Sequence, residues 1–257
     1  MTTDTVRRPF GFQSLLTPDG YNPKTKKGRA RGYATAILHF APARLGGQDV
    51  CQYRSAGCTA ACLNTAGRGG IIRKGESTNL IQLARLARKK AFFERRTEFN
   101  ALLKVAIEAH VRRALKRGMA PMVRLNGTSD LPWERLPITP DGRTVFDVFP
   151  GVQFYDYTKN PHRAIANARG EHPANYHLTF SRSEENTAEV REVLAAGGNV
   201  AVVFANTLPA TFADRPVING DADDLRPLDP RGGVIVGLKA KGRGKRDMSG
   251  FVVRPAA

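Results

Sequence analysis

Tyr33-Ala34-Thr35-Ala36-Ile37-Leu38-His39-Phe40 is an apolar run of strand length, and it opens into a loop that carries Cys51, Cys58 and Cys62. These are the chain's only cysteines, spaced C-x6-C-x3-C in a stretch otherwise rich in Gly, Ala, Ser and Thr. Cysteines that serve as small buried hydrophobes scatter through a chain. Three within twelve residues point to a shared task.

Beyond the loop, Glu76-Ser77-Thr78-Asn79 supplies capping side chains. Leu80, Leu83, Leu86 and Ala87, then Phe99, Leu102, Leu103, Ala106 and Ile107, recur at helical spacing. A long helix or a helix pair is expected over residues 78–117, ending at Gly118. Further strands are expected at 119–125, 152–157, 176–180, 200–204 and 234–238. Helical stretches separate several of them, most clearly 184–196 before Gly197-Gly198. Strands alternating with helices predict an α/β fold: a single-domain partial (β/α) barrel of about six mainly parallel strands, with its site in the loops at their carboxyl ends. Residues 1–32, with a Pro18-Asp19-Gly20 turn signal, read as a basic extended arm that adds little core. The barrel domain then occupies 33–257, with a metal or cluster loop at 41–75, and residues 247–253 are expected to pair as a terminal hairpin strand.

Hydrophobic residues make up 41% of the chain, ample for a core, and no apolar run nears the roughly 18–20 residues that span a bilayer. A soluble protein is expected. With no secretory signal pattern the thiols read as reduced and cytoplasmic rather than disulfide-bonded. Structural zinc takes four protein ligands, whereas three clustered cysteines can hold three irons of a [4Fe-4S] cluster and leave the fourth open to a ligand. The alternative is a Cys3His zinc site completed by His39, His110, His162, His172 or His177.

The net charge is +17 and the pI near 10.4, with the cations concentrated in three runs. Lys24, Lys26, Lys27, Arg29 and Arg31 form one, and Lys239, Lys241, Arg243, Lys245 and Arg246 another, both interleaved with glycine. The third is helical and includes Arg88, Lys89, Lys90, Arg95 and Arg96; residues 85–117 hold eleven Lys or Arg against Glu94, Glu98 and Glu108. Together the runs hold 21 of the 40 basic residues, as expected of segments that track a phosphate backbone. Nucleic acid is the expected partner. A membrane is not, because no strongly amphipathic, aromatic-rich helix accompanies the charge.

Polar residues follow the apolar runs. After the second strand come Asn126-Gly127-Thr128-Ser129-Asp130, where Gly127 permits close backbone approach to a ligand and the others offer hydrogen-bonding groups. Ser129 or Asp130 equally suits a helix cap. In the next strand, alternation places Gln153, Tyr155 and Tyr157 on one face and Phe154, Asp156 and Thr158 on the other. Asp156 needs a partner, such as Arg124 or Lys159, or is catalytic. Ser181-Arg182-Ser183 suits a phosphate or carboxylate, with helix capping as the plainer use. Asn219-Gly220-Asp221-Ala222-Asp223-Asp224 reads as a turn, and the segment 232–237 as a glycine-edged buried strand. No His-Glu-x-x-His, Gly-x-Ser-x-Gly or Walker-type pattern occurs.

Residues 51–69, with 124–130 and 155–159, resemble the gene product 88 type of phage-borne protein over most of the chain. That resemblance implies a phage, prophage or plasmid origin and brings no settled activity with it. A looser similarity, in the order strand, three-cysteine loop, long helix and strand ending in a Gly-containing polar turn, is to radical S-adenosylmethionine enzymes. Their cysteines are spaced C-x3-C-x2-C. There the cysteines hold a [4Fe-4S] cluster whose open iron binds the cofactor. The resemblance places residues 126–130 at the turn that contacts S-adenosylmethionine and 233–238 at the strand beside its adenine; with Ser181 the cofactor candidates are Asn126, Gly127 and Thr128, and the catalytic candidates are Asp130, Tyr155, Asp156 and Lys159. The leading expectation is therefore a phage-encoded, radical-type enzyme that modifies nucleic-acid bases, DNA favoured over RNA. Two alternatives stand beside it: a non-enzymatic nucleic-acid-binding protein with a structural metal site, and a base-exchanging glycosyltransferase (transglycosylase) with Asp130 or Asp156 as nucleophile.

Overall fold

The computed structural model describes residues 10–255. Along the chain run β1 (Leu16–Thr17), α1 (Pro23–Arg29), β2 (Tyr33–Leu38), α2 (Ala56–Ala60), α3 (Leu80–Glu94), α4 (Arg96–Leu115), β3 (Ala120–Arg124), α5 (Val145–Val148) and β4 (Gln153–Thr158). There follow α6 (Pro161–Ala168), β5 (Tyr176–Ser181), α7 (Thr187–Ala195), β6 (Val200–Phe204), β7 (Thr211–Phe212), β8 (Arg215–Asn219) and β9 (Ile235–Lys239).

The strands form one nine-stranded, mostly parallel sheet in the order β1-β2-β3-β4-β5-β6-β9-β8-β7. Its six central strands are the six expected from the apolar runs, and each is parallel to its neighbour. Alternation with helices imposes this, because a parallel neighbour can be reached only by a crossover. β8 adds a parallel strand beyond β9, while β1 and β7 pair antiparallel at the two margins. The segment 247–253 forms no hairpin; it contributes a single parallel bridge, Val253 to Phe204.

The pleat separates two faces. Ala36, Val123, Phe154 and Tyr176 share one row, and with Leu38, Leu125 and Leu178 they pack under α3 and α4 against Phe92, Phe99, Leu103 and Ile107. Each such Leu, Ile or Phe contributes about 1.5–3 kcal/mol by leaving water. Asn79 caps α3 by accepting from Gln82 N at 3.0 Å. The expected helix pair breaks at Arg95, where Phe92 turns its edge to Phe99 and Trp133, with ring centroids 5.3 Å and 5.5 Å apart.

The described part of the N-terminal segment is not an extended arm. Phe12, Leu15 and Leu16 are buried in the main core, and α1 follows. Cations from α3 hold it: Arg88 donates to Ser14 O at 2.8 Å and lies over Phe12, and Arg95 lies 4.5 Å from the Phe10 centroid. Among the described residues, no helix is long and apolar enough to cross a membrane.

Candidate functional site

Because the central strands run one way, the loops leaving their carboxyl ends share an edge. The cysteine loop leaves β2 at this edge and the turn 125–131 leaves β3. They are stapled together: Thr128 Oγ1 donates to Phe40 O at 2.6 Å, Gly127 N to Leu38 O at 2.9 Å, and Asp130 N to Val50 O at 2.7 Å. Gly127 makes this approach possible, since a Cβ there would stand 2.6 Å from His39 Cδ2 and 2.7 Å from Leu38 O. Asn126 Oδ1 accepts from Ser129 Oγ at 2.8 Å and Leu131 N at 2.9 Å, and its Nδ2 donates to Leu131 O at 3.0 Å. The side chains of Asn126 and Thr128, expected to face a cofactor, are thus satisfied within the protein, Asn126 inside the turn and Thr128 on Phe40 O.

Of the four catalytic candidates, Asp130 and Lys159 meet, while Tyr155 and Asp156 lie on opposite faces of β4. Asp156 is buried on the helix side of the sheet, where it accepts from Asn126 N at 2.8 Å and from the Tyr176 hydroxyl at 3.2 Å. Burial pushes its carboxyl up to about 7, against the opposing pull of Arg124, the Asn126 N–H and Arg163. Its expected ion-pair partners are engaged elsewhere: Arg124 pairs with Asp224 at 2.8 Å, and Lys159 Nζ donates to Ser181 Oγ at 2.7 Å. Tyr155 lies on the opposite face, as alternation requires, and donates to Asp224 at 3.3 Å. Burial, with Asp224 adding to it, holds this phenol well above its usual range. Asp130 pairs with Arg163 at 2.6 Å, and the same buried guanidinium pairs with Glu134 at 2.6 Å. Asp130 also accepts from Lys159 N at 2.8 Å, which fixes where β4 ends.

The thiols lie along the loop at this edge. Cys51 Sγ accepts from Ala43 N at 3.4 Å and donates to Thr128 O at 3.8 Å. Cys58 rides on α2, whose cap Ser55 accepts from Cys58 N at 3.1 Å. Glu184, just beyond β5, accepts from Ser55 Oγ at 2.8 Å and Gly57 N at 2.6 Å, clamping that helix to the next strand end but two. The tight turns after Cys62 are tied to α3: Arg85 donates to Asn64 O at 3.0 Å, Gln82 to Gly69 O at 2.7 Å, and Asn79 to Ile71 O at 2.9 Å.

Burial pushes the Cys51 thiol up to about 12, and Asp130, Cys62 and Cys58 push the same way. Burial also raises Cys62, with Cys58 adding to it while Arg85 and Lys159 oppose. Cys51 is thus within electrostatic reach of Asp130 and the other two thiols, and Cys62 within reach of Cys58, Arg85 and Lys159. Among the described residues, however, no three His, Cys, Asp or Glu side chains gather as ligands of one ion. Of the histidines considered, His110 is committed to the core by contacts of 3.0 Å to Ala34 O and 3.1 Å to Met122 O.

The basic runs have partners that sequence reading missed. Lys24 pairs with Asp221 at 2.9 Å, Lys241 with Asp221 at 2.7 Å, and Arg31 with Asp223 at 2.6 Å. Lys27 donates to Asp221 O at 2.8 Å, and Arg29 pairs with Asp19 at 2.6 Å. On the helices, Lys89 is buried and donates to Ala43 O and Leu45 O, Lys90 reaches Glu94 at 3.8 Å, and Arg96 lies over Phe92. The acidic turn 219–224 is thus the internal counter-charge of two basic runs.

Two surface cavities of about 460 and 470 Å³ lie away from the thiols, one beside Arg182, Phe212 and Asp214, the other beside α4, Pro121 and Phe149. The cysteine loop, Asp130 and Lys159 lie at the loop edge, while Tyr155 and Asp156 are buried within β4. Sequence and structure together define an α/β protein with a mostly parallel sheet and a three-cysteine loop at its carboxyl edge. The chain belongs to the gene product 88 family, whose model matches residues 14–255. No curated protein and no solved structure matches it.

Proposed function

We propose that this chain is a phage-encoded enzyme of radical type that modifies bases in nucleic acid, DNA in preference to RNA, with Cys51, Cys58 and Cys62 holding a [4Fe-4S] cluster and S-adenosylmethionine as cofactor. The observation that carries the reading is the position of the cysteine loop: it leaves the first of six successive parallel strands at the edge where such sheets build their sites. The uninterrupted order of those strands supports a partial barrel. Fold likeness alone carries no activity, so the donor set matters more. A four-iron cluster takes each thiolate on a separate iron and leaves one iron open, a donor set that the three cysteines of this one loop match in number. Bound cations would favour the thiolates that burial now disfavours.

Such a cluster, when bound, supplies one electron at this edge. Around it, Lys159 is the candidate best placed to meet an anionic group: its ammonium lies on Ser181, 5.3 Å from the Phe251 ring centroid, and acts on Cys62. Asp130, Asn126 and Asp156 hold the loops in place. We favour this reading over a transglycosylase because Asp130 pairs with Arg163 and Asp156 accepts from the buried turn, contacts that suit a role in holding the loops.

Metal and sulfide analysis on protein purified without oxygen tests the reading. Roughly four irons and four sulfides per chain, depleted in Cys58→Ala, is the expected result. One zinc and no iron in the intact protein would overturn it in favour of a binding protein whose metal only holds the loop.

A further inference from the structure

Cation placement separates the basic runs into two kinds. Of the fourteen basic residues expected to meet nucleic acid, ten have a hydrogen-bond, ion-pair or aromatic partner within the chain. The exceptions among the described residues are Lys26, Arg243, Lys245 and Arg246. Three of these four sit on one exposed turn, Gly242–Arg246, directly after β9.

That turn is seated on the cysteine loop. A Cβ on Gly242 would stand 3.3 Å from Ala66 Cβ, and one on Gly244 would stand 3.6 Å from Ala61 Cβ. Beneath them Ala240, Phe251 and Val252 form a small core that Cys58 and Ala61 join. Lys241, at the start of the turn, is anchored to Asp221, so the turn cannot swing away without breaking that pair. The neighbouring acid, Asp247, makes no ion pair with the turn among the described residues: its oxygens turn inward, accepting from Val252 N at 2.9 Å and Ser249 Oγ at 2.7 Å. Arg68, exposed and two residues beyond Ala66, extends the positive rim along the loop itself.

We infer that the rim of Arg243, Lys245, Arg246 and Arg68 is the surface that grips the phosphate backbone, laying nucleic acid across the cysteine loop. The inference rests on the reading of the chain as a nucleic-acid enzyme and adds where the strand runs. Unpaired guanidinium and ammonium groups bind phosphate without first giving up an internal partner, whereas Lys24 or Arg31 would have to break an ion pair to do so.

The test is fluorescence anisotropy of the full chain with labelled single- and double-stranded oligonucleotides across a salt series. The rim variant is Arg243→Ala/Lys245→Ala/Arg246→Ala. The control, Arg112→Ala/Arg113→Ala/Lys116→Ala, removes the same charge from the last turn of α4, which leads into the opposite, amino-terminal edge of the sheet. Circular dichroism checks that both fold. The expected result is at least about 10-fold weaker binding by the rim variant, with the slope of log K against log salt reduced by roughly 2 to 3, and less than about 2-fold change in the control. Equal losses in both variants, or no loss in the rim variant, would overturn the rim while leaving the enzyme reading intact. An intact protein that binds no oligonucleotide but binds vesicles of anionic phospholipid would overturn both.

Discussion

Asp156 shows at residue scale how burial and function part company. Its position after an apolar strand invites a catalytic role, yet it sits on the helix side and serves the Asn126 turn. Its folded value near 7 lies above the roughly 3.9 of an unfolded Asp, so the folded state binds the extra proton between those limits. The stabilising contribution of protonation is present at low pH and is lost as pH rises from about 4 through about 7, at about 1.4 kcal/mol per unit of separation. Chemical unfolding of the intact protein and of Asp156→Asn at pH 5 and pH 8 checks this. The difference in stability between the two should shift in favour of the variant at pH 8, and a pH-independent difference would mean that the carboxyl is ionised throughout.

Among elements, the decisive joint is between the ends of β2 and β3. The bonds of Gly127, Thr128 and Asp130 to Leu38, Phe40 and Val50 tie the cysteine loop to its neighbour, and the space at Gly127 is filled by His39, Ile37 and backbone. Gly127→Ala forces a Cβ against Leu38 O, which cannot yield without moving the strand. A cost of about 1–3 kcal/mol is expected from denaturant unfolding, together with faster alkylation of Cys51, whose Sγ lies on Thr128 O. Gly127 was legible in the sequence as a place of close approach. That the approaching group is the adjacent strand end rather than a ligand was not, because the alternation that identifies β2 and β3 carries no information about which side chains fill the gap between their loops.

For the whole molecule, the net charge of +17 overstates the cation free to meet a polyanion. Asp221 is central to this. Burial opposes its ionisation, but Lys241, the Lys239 N–H and Lys24 outweigh it and hold the carboxyl well below the usual range. A depressed folded value contributes stability that is present above about pH 4 and lost as pH falls through the folded value. The intact protein should therefore be more stable than Asp221→Asn at neutral pH, by about 1–3 kcal/mol, with the advantage shrinking steadily as pH falls below about 4 in thermal unfolding scans. An advantage that did not shrink between about pH 5 and pH 2 would place the effect in packing rather than charge.

The amino-acid sequence by itself determined the six central strands, their parallel succession, the helix pair over 78–117 and the cysteine loop behind the first strand. All of these follow from local periodicity and from the steric rule that parallel neighbours need crossovers. Tertiary structure alone decided the rest. Arg31 meets Asp223 from 192 residues away, Arg124 meets Asp224 from 100, and Glu184 reaches the Cys58 helix from 127. A charge run looks the same in sequence whether its counter-ion is a phosphate or a carboxylate folded back from a distant turn. Only the docking of the turn 219–224 against α1 and the residues after it makes that choice, and among the described residues it leaves the turn over the cysteine loop as the cationic cluster without an internal partner among those expected to bind nucleic acid.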